Sequence, residues 1–167
     1  MKSLVLALFM LLTTVSTAHA AHPSSNVGLG LILGEPTGLE ARWSLAPDRE
    51  IHGILAFSFS DFVMLAGDYV FEFPGASWLP AQARSQLTPY IGLGGVLLFS
   101  NGHRFGNDRK YFSSNDSIGL GIRIPVGMEW HIPRSPLGLF AELVPGIGII
   151  PGTYGFFQGG VGAVFYF

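Results

Sequence analysis

The chain has 167 residues, nine basic and eleven acidic, and its net charge of -2 argues against nucleic acid as a partner. It has no cysteine, which excludes a disulfide-stapled miniature and leaves packing and backbone hydrogen bonds to hold the fold. Charged residues make up 12% where about 25% is usual, and 23 glycines all follow residue 20, so an ordinary water-facing surface is excluded too.

In chain order, the first element is a targeting signal. Lys2 supplies a positive start, Leu4 to Leu12 an apolar run too short to span a bilayer, and Ala18-His19-Ala20 an A-x-A cleavage site. The expectation is a signal peptide over 1–20, Sec-dependent export, and one domain over 21–167. The absence of cysteine near the cleavage site excludes a lipoprotein anchor.

From there the apolar pattern has period two. It predicts strands over 25–34, 37–46, 50–60, 62–73, 88–99, 117–132, 137–150 and 157–167. The first two are joined by Glu35-Pro36-Thr37-Gly38, which suits a type I turn with Pro second and Gly fourth. Residues 74–87, PGASWLPAQARSQL, form a connection longer than the short turn expected at that end of a barrel; either it carries a small helix or the strand count is off by one. The stretch from Leu143 to Phe167 is free of charge and looks superficially like a spanning helix. Its two prolines and seven glycines argue instead for two strands joined by a turn over 151–155.

One parity of these strands is apolar throughout, as in Val27, Leu29, Leu31 and Leu33, or Ile118 through Trp130 at every second residue. The other parity collects the charges: Glu40 with Arg42, Asp68 with Glu72, Arg123 with Glu129, then His52 and Glu142. Five Gly-x-Gly pairs share that charged parity, at 28/30, 92/94, 119/121, 146/148 and 160/162. None has the third glycine of a nucleotide-phosphate loop, so they read as small residues making room inside a narrow closed sheet. Apolar outside, compact and polar inside, exported and eight-stranded: the expectation is an all-β, antiparallel up-and-down transmembrane β-barrel. In lipid no water satisfies a sheet edge, so the sheet must close.

The C-terminal GVGAVFYF, ending in Phe167, resembles the closing strand of Gram-negative outer-membrane barrels, whose final aromatic residue is part of the signal read by the assembly machinery. In size and strand count the chain resembles the small OmpA, OmpX and PagL type barrels. LGEPTGL, IRIPVGMEW and FAELVP are similar to segments of a group of bacterial outer-membrane barrels without an assigned activity. The resemblance implies an outer-membrane location, contact with membrane lipid and lipopolysaccharide, engagement of the assembly machinery through Phe167, and a monomer. It supplies no catalytic residues and no cofactor.

Two groups of residues are candidate sites. Glu40, Arg42, Asp68, Glu72, Arg123, Glu129 and Glu142 form an interior set of five acids and two arginines, readable as a cation pathway or as a salt-bridged plug; the plug is the structural expectation, because eight strands enclose room only for side chains. In the loop over 99–117, His103, Arg104, Arg109, Lys110 and Tyr111 could contact lipopolysaccharide phosphates, or simply form a solvated connection. The H-x-S pattern of a lipid A deacylase is absent around His131, and the histidines lack metal-ligand spacing. The alternatives are therefore a lipid-modifying enzyme, a narrow channel, or a soluble carrier with its apolar parity turned inward. Trp43, Tyr69, Phe71, Phe99, Trp130, Phe165 and Phe167 are expected in interfacial belts.

Overall fold

The computed structural model describes residues 26–57, 62–100 and 118–167. The expected signal peptide and His103, Arg104, Arg109, Lys110 and Tyr111 lie outside the described residues.

Alternation drives nearly every described segment into strand. The elements are β1 (Val27–Glu35), β2 (Thr37–Ala46), β3 (Arg49–Phe57), β4 (Phe62–Glu72), β5 (Leu87–Ser100), β6 (Ile118–Arg123), β7 (Val126–His131), β8 (Leu137–Ile150) and β9 (Tyr154–Tyr166). All pairings are antiparallel. They run from β4 through β3, β2, β1, β9 and β8 to β6 and β7, then β5, and the β4–β5 ladder closes the ring. The wall is eight-stranded because β6 and β7 are two halves of one strand, each lying between β5 and β8.

That break corrects the continuous strand expected over 117–132. Pro125 has no N–H to give to a ladder. Its carbonyl still accepts from the Gly92 amide at 2.7 Å, and the Ile124 amide donates to the Pro145 carbonyl at 2.9 Å, so the wall stays shut across the gap. The type I turn over 35–38 is also corrected. Pro36 follows a cis peptide and occupies the third place of a turn from Gly34 to Thr37, whose hydroxyl donates to the Gly34 carbonyl at 2.9 Å. The long connection between β4 and β5 is neither a helix nor a missing strand. It is a run of turns in which the Arg84 guanidinium donates to the carbonyls of Ser77 and Leu79.

The two parities separate as their chemistry requires. Leu31, Leu33, Leu143 and Val161 point outward, each more than half exposed, whereas Ile54, Met64, Val70, Val96 and Val164 on the other face are buried. This overturns the soluble carrier, which needs the apolar parity inside. Trp43, Tyr69, Phe71, Trp130 and Phe167 stand exposed near the rim that carries the chain termini, and Phe57 and Phe157 near the opposite rim.

The glycine-rich inner face has a specific use. Five inward aromatics lie directly opposite a glycine on the next strand: Tyr90 opposite Gly127, Phe140 opposite Gly162, Tyr154 opposite Gly148, Phe156 opposite Gly146, and Tyr166 opposite Gly28. A Cβ built on Gly127, Gly146, Gly148 or Gly162 would run into the facing ring. The rings thus lie flat over the bare backbone and fill a bore that would not admit a second side chain at that level.

Candidate functional site: the barrel interior

The inside divides along its axis. Toward the rim opposite the chain termini, Ile54, Ala56, Met64, Val96, Leu98 and Phe156 pack into an apolar septum. From mid-barrel toward the chain termini buried charges enter, beside a second apolar cluster of Ile32, Phe140, Val164 and Tyr166. Five carboxyls (Glu40, Glu50, Asp68, Glu129 and Glu142) are buried with only two guanidiniums and the His52 imidazole.

Neighbouring strands bring these charges into two groups. In the first, the Arg42 Nε meets Glu40 at 2.8 Å while its Nη1 meets Glu129. The Tyr166 hydroxyl donates to the other Glu129 oxygen at 2.8 Å. His52 lies between Glu40 at 3.2 Å and Glu50 at 3.1 Å, and the Ser44 hydroxyl donates to Glu50. In the second, Arg123 faces Asp68 at 3.2 Å and Glu142 at 3.5 Å, and the Tyr90 hydroxyl donates to Glu142 at 3.1 Å. The Arg123–Asp68 contact is an ion pair without hydrogen-bond alignment, since neither carboxylate oxygen of Asp68 has a hydrogen-bond partner. Aromatic faces join the groups: the Arg42 guanidinium lies 4.4 Å from the Phe140 ring centroid and 5.7 Å from that of Tyr90.

Of the seven residues expected inside, the structure brings together Glu40, Arg42, Asp68, Arg123, Glu129 and Glu142. Glu72, the last residue of β4, stands half-buried at the rim with no ion-pair partner among the described residues. Sequence reasoning left Glu50, Tyr90, Gln158 and Tyr166 out of the site. Their signal was parity alone, because each lies an even number of residues from an inward-facing neighbour such as His52, Gly92, Gly160 or Gly162. No group of three or more His, Asp or Glu among the described residues is arranged to hold a metal. These charges pair with one another, carboxyls in excess, and occupy the bore. An enclosed space of about 10 Å³ beside Arg123, Glu142 and Gln158 is room for roughly one water.

An apolar outer wall, a closed eight-stranded antiparallel sheet and an ion-paired interior define a barrel of the outer-membrane type. The fold is similar to the N-terminal β-barrel domain of Pseudomonas aeruginosa OprF, with a TM-score of 0.62 and 17% identity over 86% of this chain and 98% of that one. Over residues 20–165 the chain matches the family described as "Protein of unknown function (DUF3996)", and it belongs to that family. No curated protein matches it significantly.

Proposed function

We propose that the protein is a sealed, monomeric barrel of the bacterial outer membrane, exported through the Sec pathway, whose role is structural or carried by its surface loops. The observation that carries this reading is the inversion of polarity: large apolar side chains cover the outside, while buried ion pairs and an apolar septum fill the inside. The wall suits lipid, and among the described residues buried side chains occupy the bore. On this reading the closing strand, with Phe167 after it, is the segment offered to the assembly machinery, and the loop over 101–117 is the part of the chain presented to lipopolysaccharide or to another surface.

The test is refolding of residues 21–167 in detergent micelles, followed by gel electrophoresis with and without boiling, and by planar-bilayer recording. A faster band in the unboiled sample and an electrically silent bilayer are the expected results. A chain soluble without detergent removes the membrane role, and stepwise conductance removes the seal.

A further inference from the structure

Outside the barrel, the connection between β4 and β5 does not hang free at the rim. Pro89 shares the outward parity of Ile91 and Leu93, yet Pro89 is buried where they are exposed. The Trp130 indole, on the outer face of β7, donates to the Gln86 side chain at 3.1 Å, and the His131 amide donates to the Gln86 carbonyl at 2.8 Å. Residues 73–86 therefore fold back as a ledge on the outer wall. Beside it lies a shallow, open apolar hollow on the outer wall. Leu33, Leu143 and Val161 line it, together with the small outward residues Ala141 and Gly159, and Phe73 and Trp78 reach it from the ledge.

We propose that this hollow seats an acyl chain of an anionic phospholipid, with its phosphate at the ledge. The inference rests on the membrane reading above. Three observations select this occupant. The hollow is continuous with the apolar belt, so hydrocarbon is the medium that reaches it. Its end is marked by Trp78, 68% exposed, an amphipathic side chain suited to the boundary between hydrocarbon and headgroup. Arg84, exposed and anchored to the carbonyls on either side of Trp78, adds a fixed positive charge there.

The experiment places the protein in phosphatidylcholine vesicles containing increasing fractions of phosphatidylglycerol with brominated acyl chains, which quench nearby indoles. Two variants are compared, W43F, which retains Trp78, and W78F, which retains Trp43 on the outer face of β2; Trp130 stays in both because it anchors the ledge. The expected result is half-maximal quenching of the Trp78 protein at a lipid fraction several-fold below that of the Trp43 protein. That preference should disappear when the hollow is filled by A141F or, independently, by V161F, and should be absent when brominated phosphatidylcholine is the probe. Coincident curves for the two proteins would mean bulk lipid contact only and overturn the site. No quenching of either protein, even in fully brominated vesicles, would instead remove the membrane reading itself.

Discussion

Glu129 shows how much a single interior residue holds. It lies fully buried on β7, and its two oxygens meet Arg42, from the opposite wall of the barrel, and the Tyr166 hydroxyl on the closing strand. A buried ion pair gives little net stability against a well-packed apolar replacement, but removing Glu129 leaves the Arg42 Nη1 and the Tyr166 hydroxyl buried without their acceptor, with only Glu40 still paired to Arg42. Glu129→Ala is therefore expected to cost about 3–5 kcal/mol, measured as the shift in urea unfolding of the refolded barrel. Arg49→Ala breaks the exposed Asp48–Arg49 pair and is expected to cost no more than about 1 kcal/mol in the same assay. Equal effects would show that the buried network adds nothing specific.

At the scale of the element, the unit is a cross-strand pair of glycine and aromatic ring. Gly146 on β8 faces Phe156 on β9, and any Cβ at 146 enters that ring. Gly146→Val should force the ring from its place and destabilise the barrel by about 1–3 kcal/mol, as overpacking does. Gly53→Ala is the control: its added methyl meets nothing nearer than 3.9 Å, so a change within about 0.5 kcal/mol is expected. Thermal unfolding followed by circular dichroism separates the two. This pairing was only partly legible in the sequence. Period two puts Gly146 and Phe156 on the inner face, but which glycine meets which ring depends on strand register, and register is set where two strands dock, by turns and by the shear of the closed sheet.

For the whole molecule, closure and filling decide permeability. The polar network reaches from mid-barrel toward the chain termini, and the septum of Ile54, Ala56, Met64, Val96, Leu98 and Phe156 lies beyond it. If the septum is the ion barrier, the double variant Met64→Ala with Phe156→Ala should convert the silent barrel into one showing stepwise conductance in planar bilayers. Silence in the double variant, with heat modifiability retained, would assign the seal to the ion-paired network instead. The sequence pointed to the charged half of this interior, because charges on one parity stand out. It did not reveal the septum: parity puts Met64, Val96 and Leu98 on the inner face, but that they gather at one level with Ile54 and Phe156 depends on strand register.

By itself the sequence determined the class of fold and the sidedness of each strand. Side chains alternate across any extended chain, so parity follows from local covalent geometry. It also marked most of the buried charges, since an ionised group on a strand in lipid has only the interior to go to. Tertiary structure decided what depends on distant partners. It kept the wall closed across the break at Pro125 through carbonyl and amide partners on β5 and β8. It matched Arg42 to Glu129 across 87 residues of chain, and it laid residues 73–86 on the outer wall beside a hollow. Those outcomes follow from the register and shear of the closed sheet, which no local spacing of residues encodes.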